Sequence, residues 1–185
     1  MTNSVIISPL LLKDIKALVS LVNSAYRGES SKKGWTTEAD LLEGIRTDEH
    51  SIKQITEEKD SVILTAHDKY SRLVGCVYLS WIKTKLYLGM LTVAPDTQAR
   101  GIGKRLLAAA EAHAKFVNCN SIVMSVIDGR HELIEWYERH GYHRTGEVKP
   151  FPSDPAFGIP QQPLQFIIME KKVEGQLSHQ SPSYR

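Results

Sequence analysis

Gln98, Arg100, Gly101, Gly103 and Lys104 fall within one short stretch directly after the apolar run Leu91-Thr92-Val93-Ala94. The stretch opens an amphipathic segment, Lys104 to Val117, whose apolar positions recur at helical spacing. A strand running through a glycine-bearing turn into a helix makes an anion site, because the first helical amides have no intrahelical partner and the peptide dipoles leave partial positive charge there. Gly101 and Gly103 let the backbone approach a pyrophosphate without Cβ interference, and Arg100 and Lys104 add charge at the rim. The plain alternative is an ordinary turn before a surface helix. Neither common phosphate loop fits. Lys104 is followed by Arg105 rather than Ser or Thr, and no third glycine follows Gly103 at dinucleotide-binding spacing.

A second group lies downstream in Tyr137-Glu138-Arg139-His140-Gly141-Tyr142, at the end of a segment that alternates with helical period from Glu132 to His140. Taken in order, Gln98-Ala99-Arg100-Gly101-Ile102-Gly103 resembles the Gln/Arg-x-x-Gly-x-Gly/Ala signature of the GNAT acyltransferase superfamily. The second group resembles the Tyr-x-x-x-Gly-Phe/Tyr segment that closes that family's last core helix. The resemblance spans Val5 to Lys172, and the region Leu86 to Val148 carries nearly all of it.

The resemblance implies acetyl-CoA as acyl donor, entering where two strands splay. Backbone groups of Leu91, Thr92 and Val93 would pair with the pantetheine arm, and the turn Gln98, Ala99, Arg100, Gly101, Ile102, Gly103, Lys104 would hold the pyrophosphate. It also implies an N-acetyltransferase acting on a small-molecule or peptide amine. Relatives place Asn and Ala where this chain has Arg130 and Leu133. Arg130 is therefore expected either to meet the cofactor phosphates or to cap a surface. Asp128 is expected to cap the following helix.

Direct transfer from a thioester needs a neutral amine, oxyanion stabilisation and an acid for the departing thiolate. Tyr137 fits the acid, since a phenol with pKa about 10 stays protonated at neutral pH. Its plain alternative is packing on the apolar face with Leu133 and Ile134. Relatives carry a basic carboxylate on the strand equivalent to Leu86 to Val93, which here has none. Glu29 is the first candidate for the base and His140 the second. Tyr26, Glu29, Trp35 and Phe151, with Phe157, are expected to line the acceptor pocket; Arg27, Lys32 and Lys33 leave room for an acceptor bearing a carboxylate. A non-catalytic acyl-CoA sensor is the alternative reading, and an interaction protein on an enzyme scaffold a third.

Composition narrows the classes. The chain has 185 residues, a single-domain length, with 23 basic and 21 acidic side chains and a net charge of +2. No run of like charge suggests nucleic acid or an anionic membrane surface as partner. Cys76 and Cys119 offer no disulfide framework, the early positions Lys13, Asp14 and Lys16 interrupt any signal-like apolar run, and a cytoplasmic protein is expected. The seven histidines show no metal-ligand spacing, so no metal is expected. Neither a Gly-x-Ser-x-Gly elbow nor a cysteine in a basic setting points to a covalent nucleophile.

The elements that must position these groups follow from periodicity. Strands are expected at Val5 to Ile7, Val62 to His67, Leu73 to Ser80, Leu86 to Val93, Ser121 to Val126, His143 to Val148 and Leu164 to Lys172. Helices are expected through Ile15 to Tyr26, from a capping box at Thr37-Glu38-Ala39-Asp40 through Ile45, near Ser51 to Glu58, and at the two segments above. Three antiparallel neighbours followed by a β-α-β-α unit give an α/β (α+β) fold. It is a GNAT-like, mostly antiparallel twisted sheet of about six to seven strands with a central parallel pair, flanked by about four helices. Residues 1–173 would form one domain and 174–185 a polar tail. Late strands that pair between subunits in the family leave a homodimer possible.

Overall fold

The computed structural model of the protein describes residues 4–174, so the expected tail lies almost wholly outside them. In chain order the regular elements are β1 (Ile6–Pro9), α1 (Ile15–Tyr26), α2 (Gly28–Ser31), β2 (Leu42–Glu43), α3 (Glu49–Glu57), β3 (Ser61–His67) and β4 (Leu73–Ile82). There follow β5 (Lys85–Val93), α4 (Ile102–Phe116), β6 (Ser121–Ile127), α5 (His131–Arg139), β7 (His143–Pro150), β8 (Ile159–Pro160) and β9 (Gln165–Lys172). Seven strands form one sheet in the order β1-β3-β4-β5-β6-β9-β7, and β2 pairs with β8 in a small separate ribbon. Only β5 and β6 run parallel, because α4 returns the chain to the sheet in the same direction; the other neighbours are antiparallel.

The core sits on both faces of this sheet. One cluster joins Ile15, Leu18 and Val22 of α1 and Ile52 of α3 to Ile63, Cys76 and Met90. A larger one gathers Leu106, Leu107, Ala110 and Ala114 of α4 and Ile134 and Tyr137 of α5 over Val74, Val77, Leu79, Leu86 and Ile122. Leu18, Leu79, Leu86 and Leu106 are fully buried, each contributing about 1.5–3 kcal/mol relative to exposure.

Two features of β5 open the sheet. Its pairing with β6 is confined to Lys85, Leu86 and Tyr87, after which the strands diverge. The register against β4 also slips between Cys76 and Tyr78, placing an extra residue in β5, and Met90 there has φ 51°. The Met90 carbonyl is held by the Thr92 hydroxyl at 2.9 Å and the Cys76 thiol at 3.7 Å. Burial pushes the Cys76 thiol up to about 12, so it serves this bulge as an inert donor.

The helix expected from Thr37 through Ile45 does not form. Leu41 and Leu42 amides both turn back to the Glu38 carbonyl, Gly44 takes φ +93°, and the chain enters β2. Thr37 accepts the Ala39 amide at 3.0 Å, but Asp40 turns outward to Lys32 and the Glu38 carboxylate between them is drawn inward to two arginines, so no helix follows. Asp128 does not cap α5 either. Arg130 occupies the N-cap position without a side-chain hydrogen bond, and Asp128 Oδ1 accepts from the Gln165 amide at 3.4 Å. The Pro-rich stretch after β7 contains a single 3-10 turn, Pro155–Phe157, and the short strand β8.

Candidate functional site

Divergence of β5 from β6 leaves a crevice of about 420 Å³ between the end of β5, the first turn of α4 and α5. Leu91, Thr92 and Val93 form one wall, and Gln98, Ala99, Gly101, Ile102, Gly103 and Lys104 form the floor. Arg130, Leu133, Trp136, Arg139 and His140 close the α5 side, with Trp35 and Thr36 at the mouth. Among the described residues, no acidic side chain lines it.

The turn is built for a backbone-led contact. Ala99 and Gly101 adopt φ 63° and 77°, so two left-handed residues curl the chain before α4. Gly101 is the N-cap and no side chain caps the helix, whose first backbone bond runs from Arg105 N to Gly101 O. The amides of Ile102, Gly103 and Lys104 thus lack intrahelical partners at the positive end of a 15-residue helix. Glycine is required by space at one position: a Cβ on Gly103 would meet the Trp136 ring at 3.2 Å.

Gln98 and Arg100 sit differently from their expected roles. The Gln98 side chain accepts from the Trp35 amide at 2.9 Å and donates to Val93 O at 3.2 Å, so it fastens the 34–35 segment over the crevice. Arg100 points away, lining a separate cavity with Asp68, Lys69 and Tyr70. It follows Ala99 in a tight turn, which sends its side chain to the opposite face.

A second cavity of about 220 Å³ shares Tyr26, Leu91, Arg130 and Leu133 with the first and extends toward the open end of β6. Tyr137, Phe151, Phe157 and Phe166 line it together with Arg27, Glu38 and Arg46. Tyr137 is 5% exposed, and burial drives its phenol well above the ordinary tyrosine range, a rise that the nearby Arg130 charge only partly offsets. Tyr26 donates its hydroxyl to Leu91 O at 2.6 Å, and burial raises it to about 12. Tyr26 thus ties α1 to the Leu91 carbonyl, next to the backbone amides near Leu91 and Val93 expected to pair with the pantetheine arm.

Between the cavities lies a buried charge network. Glu38 Oε2 accepts from Arg27 Nε at 2.9 Å and Oε1 from Arg130 Nη1 at 3.1 Å. Arg130 Nη2 donates to Thr36 Oγ1 at 2.8 Å, and the Thr36 hydroxyl donates in turn to Glu132 Oε1 at 2.7 Å. Arg27 Nη2 holds Phe157 O at 3.2 Å, which docks the late loop. Arg130 is thus an internal tie rather than a surface cap, although it lines both cavities and its Nε is buried without a partner.

The base candidates fare unequally. The Glu29 side chain is 89% exposed, pairs with Lys32 and lines neither cavity, because α2 turns it outward. His140 lines the crevice with Nδ1 2.7 Å from Trp136 O and its ring 4.2 Å from the Trp136 ring. Sequence reasoning missed Glu38 as an internal acid, Arg46, and Phe166. Arg46 sits in no motif; Glu38 was hidden by a capping pattern that its burial overrides. Among the described residues, no group of three or more His, Cys, Asp or Glu could hold a metal, and no helix is long and apolar enough to cross a membrane.

Comparison with known proteins bears on this arrangement. The profile of the Acetyltransferase (GNAT) family matches residues 17–142. No curated protein matches the chain significantly. Among solved structures, the ribosomal-protein-S18-alanine N-acetyltransferase of Escherichia coli is 14% identical, with TM-score 0.69 over 96% of this chain and 99% of that one. Nourseothricin acetyltransferase is 16% identical, with TM-score 0.68 over 93% and 100%. A phosphinothricin acetyltransferase from Sinorhizobium meliloti, solved with acetyl-CoA, is 14% identical, with TM-score 0.68 over 99% and 94%. At these identities the likeness is one of fold.

Proposed function

The chain belongs to the GNAT acetyltransferase family, and on that premise we propose that it transfers the acetyl group of acetyl-CoA directly to a primary amine. The observation that carries this reading is the junction of the two cavities. A cation-lined crevice with unpaired helix amides meets, at Tyr26, Leu91, Arg130 and Leu133, a smaller pocket that holds Tyr137.

The donor fits the crevice on the structure's own terms. The free amides of Ile102, Gly103 and Lys104 suit a diphosphate, Gly101 leaves open space beside the turn, and Lys104 and Arg139 supply charge at the rim. Acetyl-CoA, when bound, supplies a thioester activated for attack. Tyr137 donates its phenolic proton to the departing sulfur as the amide C–N bond forms and the C–S bond breaks. A phenol holds that proton throughout the neutral range, and burial, which raises its pKa, leaves it a weak acid that gives the proton up only as negative charge builds on the sulfur. Among the described residues, the only carboxylate lining either cavity, Glu38, has both oxygens on arginines. The amine proton therefore leaves to solvent by way of the His140 imidazole that lines the crevice, and the Tyr137 phenolate regains a proton from solvent to complete the cycle.

That same occupied carboxylate favours a second reading, an acyl-CoA sensor without turnover. Release of free thiol from acetyl-CoA, followed across a panel of amines, separates the two. Amine-dependent release is expected; acetyl-CoA binding with no release above hydrolysis for any amine would establish the sensor instead.

A further inference from the structure

Resting on the acyl-transfer reading above, we propose that the acceptor is an amine carrying a carboxylate, which Arg46 binds in the cavity that Tyr137 lines. Three cationic side chains, Arg27, Arg46 and Arg130, border this cavity against one acid, Glu38. Arg27 and Arg130 share that acid, each at hydrogen-bond distance. Arg46 has no acidic partner among the described residues; its guanidinium lies 5.4 Å from the centroid of the Tyr26 ring. A second unspent donor, the buried Arg130 Nε, belongs to the same lining.

The backbone at Arg46 is also held in place before any ligand arrives. Asn23, on α1, accepts the Arg46 amide at 2.7 Å and the Thr47 amide at 3.1 Å, and donates to Thr47 O at 2.9 Å. A half-buried guanidinium on a fixed backbone, stacked on an aromatic ring and lacking a carboxylate, is matched by a planar anion that accepts two parallel N–H bonds. A polycationic amine is mismatched, because the one carboxylate here is already doubly bonded. The volume of about 220 Å³ and the rings of Phe151, Phe157 and Phe166 favour a small acceptor with an apolar or aromatic body.

Thiol release is measured with acetyl-CoA and matched amines: L-phenylalanine, L-phenylalaninamide, L-methionine, phenethylamine and spermidine. One charge-assisted pair predicts kcat/KM for phenylalanine at least about tenfold above its amide. Arg46→Gln is expected to bring that ratio to about one, and Arg46→Lys to restore part of it. Equal or faster turnover of the amide or of spermidine, a ratio that survives Arg46→Gln, or bound acetyl-CoA without turnover of either amino acid would overturn the assignment. Calorimetric titration with acetyl-CoA keeps the two failures apart. Donor binding with a preference for uncharged or cationic amines sinks only the carboxylate, whereas a donor that does not bind sinks the acyl-transfer reading as well.

Discussion

Tyr137 concentrates the chemistry because its hydroxyl is the phenol that burial keeps protonated beside the junction of the cavities. Tyr137→Phe keeps the ring contacts with Trp136 and Tyr142 at 5.2 and 5.7 Å and removes only the acid. Turnover is expected to fall by about ten- to ten-thousandfold, the usual worth of a general acid, while acetyl-CoA affinity stays within error. Unchanged kcat in steady-state kinetics would take Tyr137 out of the mechanism. Its type and offset from Gly141 are readable in the chain, since a helix of known period fixes which residues share a face. Arg46 is not readable. A lone arginine between Ile45 and Thr47 acquires meaning only when Asn23, from another element, pins it beside Tyr26.

The segments between elements are held by charge rather than by local propensity. Glu38 joins the loop after α2 to α1 through Arg27 and to α5 through Arg130, all three side chains being 6–7% exposed. Removing one partner of such a network strands buried guanidinium groups, so Glu38→Ala is expected to cost about 3–5 kcal/mol in denaturant unfolding. A loss below about 1 kcal/mol, the range of exposed pairs, would mean that the network contributes little. This interaction also explains why Thr37-Glu38-Ala39-Asp40 misleads as a helix start. The motif is local, but the arginines that claim the Glu38 carboxylate inside it lie 11 and 92 positions away. Helices α1 and α4, by contrast, follow the apolar period closely because each buries one continuous face, and β3 and β4 read as apolar runs because the core covers both of their faces. Glu29, unlike Glu38, meets no buried cation: it stands exposed on the single short turn α2 and pairs with Lys32, and nothing in the local sequence marks that difference.

For the whole molecule, the parallel pair was legible from the order of strand and helix, but its length was not. Only three residues of β5 pair with β6 before the bulge at Met90 turns the strand away. That early parting creates both cavities, and every role assigned here depends on the donor entering the first of them. Titration calorimetry of acetyl-CoA into the wild-type protein and into Gly101→Glu tests this most directly. Gly101 combines φ +77° with open space above it and immediately precedes the free amides, so a carboxylate there both strains the turn and opposes a diphosphate. The wild type is expected to bind one equivalent, and Gly101→Glu to bind at least about tenfold more weakly with an unchanged circular dichroism spectrum, given like charges a few ångströms apart. Absence of binding to the wild type, or equal dissociation constants for the two proteins, would contradict the account.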